Sequence, residues 1–158
     1  MTGTAGAGGA ETGGAPPPPF RFALPTRVEI ADTDLGGVVY YGRYSLYLDR
    51  GAVAYRRRLG IPPLGPDGHL FVVRAFEMEY LAAARFDDAL EVLVRTAAVG
   101  RTSHTLECRV DRPGDDARQV LVRARITIVG VSGYAAPRPT RLPAEVALAL
   151  REFEGITA

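Results

Sequence analysis

Gly42-Arg43-Tyr44-Ser45-Leu46-Tyr47-Leu48-Asp49-Arg50-Gly51-Ala52-Val53-Ala54-Tyr55-Arg56-Arg57-Arg58-Leu59 is the stretch of this chain that reads most clearly as a long helix. Leu46, Ala52 and Val53, with Tyr47, Leu48 and Tyr55 beside them, give it a broad apolar stripe to bury. Arg56, Arg57 and Arg58 crowd the last turn, where cations meet the negative end of the helix dipole. Gly60 and then Pro62-Pro63 stop it. Gly51 is a weak point inside, tolerable where another element packs closely over the backbone.

Strand patterns lie on both sides of this helix. Upstream, Arg27-Val28-Glu29-Ile30 alternates like a short strand and runs into the turn Ala31-Asp32-Thr33-Asp34-Leu35-Gly36-Gly37. Downstream, alternation predicts strands over 71–81, 90–98, 103–110 and 119–129. The last is the clearest: Val120, Val122, Ala124, Ile126 and Ile128 face one way, and Leu121, Arg123, Arg125 and Thr127 the other. In the first of them Arg74, Phe76, Met78 and Tyr80 share a side. Gly100 and the stretch from Asp111 to Ala117 supply turns, and Pro143 opens a short terminal helix reaching about Phe153. One long helix with antiparallel strands means an α+β domain, its five-stranded sheet wrapped on the helix. The alternation of a dinucleotide-binding sheet is missing.

At 158 residues the chain is one domain with a real core. Residues 1–19, rich in Gly, Ala and Thr and closing on Pro16-Pro17-Pro18-Pro19, read as a disordered leader, and the fold spans 20–158. That leader has no basic region followed by an apolar one, so it is not a secretory signal. A net charge of +1 gives no electrostatic reason to expect nucleic acid or an anionic membrane as partner. No apolar run approaches the roughly 18 residues that span a bilayer, and the cytoplasm is the default location. A lone cysteine, Cys108, fits a reducing compartment and sits in a strand pattern as a small core residue. All nineteen basic residues are Arg. Without lysine there is no Schiff base to pyridoxal phosphate, no Walker A lysine and no kinase strand lysine.

Chemistry concentrates in Asp32-Thr33-Asp34-Leu35-Gly36-Gly37-Val38-Val39-Tyr40-Tyr41, which puts two carboxylates and two glycines just ahead of the helix. A helix start offers unpaired N–H groups and partial positive charge, and so can hold a polarised carbonyl oxygen. Glycine lets backbone approach a substrate where a Cβ would obstruct. Thioester cleavage needs little beyond this. Its thiol leaving group has a pKa of about 8.5, so expulsion asks little of a general acid. One carboxylate, attacking or activating water, with backbone donors for the oxyanion, is enough.

The Asp32–Tyr41 segment resembles the 4-hydroxybenzoyl-CoA thioesterase family and its YbgC-like members. Tyr80, the run Ala84-Arg85-Phe86-Asp87-Asp88-Ala89-Leu90-Glu91-Val92, Gly100-Arg101-Thr102-Ser103 and Arg141-Leu142-Pro143 resemble it too, over about residues 25 to 150. The resemblance implies a hot-dog fold, a homodimer or homotetramer, and hydrolysis of an acyl-CoA without a cofactor. It implies Asp34 as the catalytic carboxylate and Tyr41 as the residue whose backbone N–H polarises the thioester carbonyl. Gly37, Tyr40 and Tyr44 then line the substrate, and Arg101 meets the CoA phosphates. Many YbgC-like members carry His where Tyr41 stands, so the acyl group is left open. An acyl-carrier-protein thioester is the main alternative substrate.

Other readings stand beside these. Asp34 alone also suits a turn cap, and Asp32 reads as a turn or neighbour-bonding residue. Asp49 is a partner for an Arg or reaches the site, while Tyr40, Tyr44 and Tyr47 line an acyl pocket or pack the core. Arg123 and Arg125 should pair with Glu77, Glu79 or Glu107 across strands. His69 and His104 share no ligand spacing, so no metal is expected. The strand-then-Asp-x-Asp pattern mimics a haloacid-dehalogenase-type phosphatase, but that family wants Thr or Val where Gly36 stands, a downstream Lys or Arg, an acidic metal pair and a longer α/β domain. A hot-dog dehydratase lacks its motif here, and Gly130-Val131-Ser132-Gly133 is not a serine-hydrolase elbow. A non-catalytic acyl-binding hot-dog protein is the alternative from a different class.

Overall fold

A computed structural model describes residues 15–62, 68–114 and 117–157. Its sheet contains β1 (Ala23–Arg27), β2 (Leu70–Tyr80), β3 (Ala89–Val99), β4 (Ser103–Arg112) and β5 (Gln119–Val131) in the order β1-β3-β4-β5-β2. Every pairing is antiparallel. One face carries α1 (Arg43–Arg58), and α2 (Ala144–Glu154) docks at its C-terminal end. This is the α+β hot-dog arrangement that the strand pattern and the family resemblance predict.

The first strand falls earlier than the alternation over 27–30 suggests. β1 ends at Arg27, and Ile30–Asp32 closes a 3-10 turn. Val28 still gives its N–H to the opposite Asp88 carbonyl (3.0 Å), but Asp32 reaches back to the N–H of Glu29 (3.1 Å), and the chain turns away there. Pro25 is tolerated because β1 is an edge strand.

Helix α1 buries only part of the stripe that hydropathy picks. Tyr44, Tyr47, Leu48, Gly51 and Tyr55 are buried, while Leu46 and Val53 are about 40% exposed. Gly51 explains the choice. A Cβ there would lie 2.5 Å from Val92 Cγ1 and 3.2 Å from Val94 Cγ2, so the helix backbone rests almost directly on β3. The tyrosines flanking Gly51 are drawn in, each with a partner for its hydroxyl. Tyr44 accepts the Ala84 N–H (2.9 Å), Tyr47 donates to Asp32 (2.7 Å) and Tyr55 to Glu154 (2.6 Å). Glu154 also accepts the Thr96 N–H (3.0 Å), which fastens α2 to the core.

The C-terminal end of α1 is closed as its sequence requires. Gly60 adopts φ +70°, its N–H reaching Arg57 and that of buried Ile61 reaching Arg56. In the sheet, Val92, Val94, Leu106, Cys108, Val122, Ala124, Ile126 and Ile128 join the core. Burial pushes the Cys108 thiol up to about 12, which fits a packing residue rather than a nucleophile. Arg123 faces Glu79 (3.9 Å) and Arg125 faces Glu107 (3.3 Å), the cross-strand pairing their positions predict. Among the described residues no helix is long and apolar enough to cross a membrane. Residues 1–14 of the expected leader lie outside the described residues, as do Pro63 and the middle of the turn after β4. Phe20 is buried beneath Arg109 (5.4 Å), its N–H on the Pro17 carbonyl (3.0 Å).

Candidate active site

Between the 3-10 turn and α1 the chain doubles back on itself. Tyr40 N–H reaches the Asp32 carbonyl (2.9 Å), Thr33 bridges Val39, and Asp34 N–H reaches the Val38 carbonyl (2.9 Å). At the tip the Asp34 carboxylate accepts the Gly36 N–H (2.7 Å), and Gly37 sits at φ +74°, where a side chain would be strained. Val38 bridges Arg85, and Val39 N–H reaches the Ala84 carbonyl (2.8 Å), which pins the loop to the segment before β3. Tyr41 and Gly42 then lead into the helix. Among the described residues their N–H groups have no acceptor. They are the free donors expected at a helix start.

Asp34, Gly37, Tyr40 and Tyr41 therefore share one exposed loop, one Asp34 oxygen being held by Gly36 and the other left free. Tyr44 is not on that surface. It is 2% exposed and lies under it, edge-on to Tyr80 (5.9 Å) and Tyr47 (6.0 Å). Burial pushes its phenol pKa up. The open aromatic surface is instead Tyr40, Tyr41 and Tyr80, with Tyr40 and Tyr41 rings 4.5 Å apart. The adjacent Tyr41 side chain pushes the Tyr40 phenol up. Sequence reasoning did not assign Tyr80 to the site. Its position beside Phe76 and Met78 gave the correct face of β2 but not the first turn of α1 as its neighbour. Asp49 forms no ion pair among the described residues, contrary to the expected Arg partner, and burial raises its pKa.

Arg101 is not brought to Asp34 within one chain. It stands in the turn after β3, whose other end adjoins the Asp34 loop. Eleven residues of strand at about 3.3 Å each put the two roughly 30 Å apart. The Arg101 carbonyl accepts the Leu142 N–H (2.9 Å), which brings Arg141 alongside. Neither arginine makes an ion pair among the described residues. Two cavities, of about 450 and 350 Å³, lie around Phe20, the larger against Met78 and Arg109 and the smaller against Arg95 and Glu154. Neither is lined by Asp34 or Tyr41, which stand exposed on their loop.

An antiparallel sheet with its Asp-x-Asp in a loop before the long helix rules out the α/β phosphatase architecture. The match of residues 36–119 to the thioesterase superfamily model completes the picture. The chain belongs to the thioesterase superfamily. It is 30% identical to the acyl-CoA thioesterase YbgC of Haemophilus influenzae over 137 residues, 84% of this chain and 96% of that protein. Among solved structures, the "probable thioesterase" of Bartonella henselae superposes with TM-score 0.65 at 30% identity, covering 77% of this chain and 97% of the other. The 4-hydroxybenzoyl-CoA thioesterase of Pseudomonas sp. strain CBS-3 shares the fold at TM-score 0.73 and 22% identity, covering 81% and 97%.

Proposed function

We propose that this protein hydrolyses an acyl-CoA to free acid and CoA, with Asp34 as nucleophile or general base. The observation that carries this reading is the loop that holds an exposed Asp34 carboxylate while running straight into unpaired N–H groups at Tyr41 and Gly42. In this reading the thioester carbonyl sits over the helix start, where those donors and the helix dipole stabilise the oxyanion. The thiolate leaves unaided, and the water oxygen ends in the carboxylic acid. Gly37 and Tyr40 flank the thioester, and Tyr44 supports the aromatic surface from beneath.

Arg101, with Arg141 beside it, meets CoA phosphates from a neighbouring copy of the chain. The span along β3 and the open face around Asp34 both support an assembly in which a second copy completes the cleft. An edge strand β2 with Val73 and Phe76 exposed offers the contact.

The test is a panel of aryl- and alkyl-CoA esters assayed with a thiol reagent, with wild type beside Asp34→Asn. Asp34→Asn should lose at least about 100-fold in turnover, roughly two decades at about 1.4 kcal/mol each, with the fold intact. Little loss would remove Asp34 from the mechanism. Faster turnover of acyl-carrier-protein thioesters than of any CoA ester would transfer the assignment to that substrate.

A further inference from the structure

We propose that Asp32 and Tyr47 form a positioning pair that fixes the loop carrying Asp34, so that the motif's two aspartates divide between frame and chemistry. The inference rests on the hydrolase reading above and adds two residues to it.

The two carboxylates live in different surroundings. Asp34 is exposed at the loop tip, whereas the Asp32 side chain is 13% exposed. Asp32 Oδ2 accepts the Tyr47 hydroxyl (2.7 Å) and the Glu29 N–H (3.1 Å), and its carbonyl accepts the Tyr40 N–H (2.9 Å). Arg43 Nε stands 3.9 Å from Oδ1, and the same side chain donates to the Ala31 carbonyl (3.1 Å). One residue thus joins the turn before the loop, the strand returning from it, and the helix behind it.

Tyr47 makes this a fixed point. It is 1% exposed, on the buried face of α1. A phenol donating to a carboxylate away from water is a charge-assisted bond, stronger than a neutral one. Burial, and then the bond to Asp32, push the Tyr47 phenol pKa up, so it stays protonated as the donor at any working pH.

The loop needs such a tether. Gly36 and Gly37 make its tip, and glycine loses more conformational freedom on ordering than any other residue. Asp34 lies two residues beyond the anchor, its own carboxylate tied, among the described residues, only to the N–H of Gly36. Misplacing a reacting group by about 1 Å can cost roughly 100-fold in rate. Asp32 and Tyr47 touch no reacting atom; they act through the position of Asp34.

Full-length Tyr47→Phe, Asp32→Asn, Asp32→Ala and the Tyr47→Phe/Asp32→Ala double variant test this. Each is assayed on whichever of benzoyl-, propionyl- and decanoyl-CoA the wild type turns over fastest, alongside Asp34→Asn. Tyr47→Phe and Asp32→Ala should each lower kcat by about 10-fold or more, with KM within about two-fold. The double variant should be no worse than either single. Asp32→Asn keeps an oxygen for the phenol and should recover much of the loss, with the acid limb of the pH–rate profile unmoved.

Amide hydrogen exchange supplies a readout independent of turnover. In Tyr47→Phe the loop amides at 34–37 should exchange at least about 10-fold faster, with the sheet core unchanged. Wild-type kcat in Tyr47→Phe, or unchanged loop exchange, would overturn the pairing. So would an Asp32→Asn as inactive as Asp32→Ala with a displaced acid limb, which would make Asp32 a base. Should Tyr47→Phe fail to fold, the Asn–Ala comparison at position 32 decides alone. A wild type inert on all three esters, or an Asp34→Asn of full activity, defeats the hydrolase reading instead, and loop exchange still judges the pair.

Discussion

Tyr80, at the end of strand β2, donates its hydroxyl to the carbonyl oxygen of Tyr41 (3.2 Å) at the entrance to helix α1. The peptide that accepts this bond is the one whose N–H belongs to Gly42, one of the unpaired donors before the helix. A hydrogen bond to a peptide carbonyl polarises that peptide and fixes its plane. Tyr80→Phe should therefore lower kcat about five-fold, the equivalent of roughly 1 kcal/mol, while KM holds. Because Tyr80 is about half exposed, its thermal midpoint should stay within a few degrees. Steady-state kinetics on one acyl-CoA ester checks both; an unchanged kcat would leave the 41–42 peptide needing no help from β2.

Gly51→Ala pits local propensity against packing. Alanine favours an exposed helix interior by about 1 kcal/mol over glycine. Here the new methyl would meet Val92 Cγ1 at 2.5 Å, and a buried β-branched side chain cannot swing aside as a flexible chain end would. Overpacking of this kind costs about 1–3 kcal/mol, so the variant should be less stable in urea despite its better helix former. Adding Val92→Ala should recover part of that loss. A Gly51→Ala more stable than wild type would mean that the helix does not rest on the strand.

The four later strands, the long helix and its stop signals were legible because each is written in local periodicity and turn chemistry, whereas the first strand was read four residues too late. The buried face of α1 was legible only in part: Tyr47, Leu48 and Tyr55 turn in as read, Leu46 and Val53 do not. Hydropathy ranks Leu46 and Val53 above Tyr44 and Tyr55, but the closest approach at Gly51 decides which side turns in. Contacts far apart in sequence were equally invisible: Asp32 finds Tyr47 fifteen residues on, and Tyr41 finds Tyr80 thirty-nine residues on. The separation of Arg101 from Asp34 needed the direction of β3, which no motif records.

His104 should make stability fall below neutral pH. It is 3% exposed beside Arg56 and edge-on to Phe71, whose ring also meets His69, and its Nδ1 has no partner among the described residues. Burial, then the Arg56 charge, lowers its pKa from 6.5 to about 4. Above pH 6.5 neither folded nor unfolded chain is protonated there, and the residue adds no pH dependence. Between about 6.5 and about 4 the unfolded chain takes up a proton that the folded chain refuses, so stability drops, by at most on the order of 3 kcal/mol. Urea midpoints across this window should decline in wild type and decline less in His104→Leu. Parallel slopes would show that His104 titrates normally.

Arg101→Ala separates nucleotide binding from chemistry. If the exposed guanidinium meets CoA phosphates, KM for CoA thioesters should rise several-fold, on the scale of one charge-assisted bond at about 1.5–3 kcal/mol. N-acetylcysteamine thioesters of the same acid, which lack phosphate, should be unaffected. Equal changes for both substrates would place Arg101 away from the nucleotide.

Edge strand β2 makes the last prediction. It bonds only to β5 on one side and exposes Val73 (60%), Phe76 (43%) and, beyond its end, Leu81 (44%). An unpaired strand edge with an apolar flank invites a second chain, and a charge placed there resists it. Phe76 is the most informative position. It lies opposite Ile126 on the same face as Tyr80, so a copy docked along β2 would cover the aromatic surface beside Asp34 as well. If copies pair along this edge as proposed, wild type should sediment as a dimer or larger and Phe76→Glu as a monomer with the fold intact. On the proposed reading turnover should fall with it, because the cleft beside Asp34 would lose its second wall and the Arg101 of the neighbouring copy. Monomeric Phe76→Glu with undiminished kcat would show instead that one chain contains the whole site.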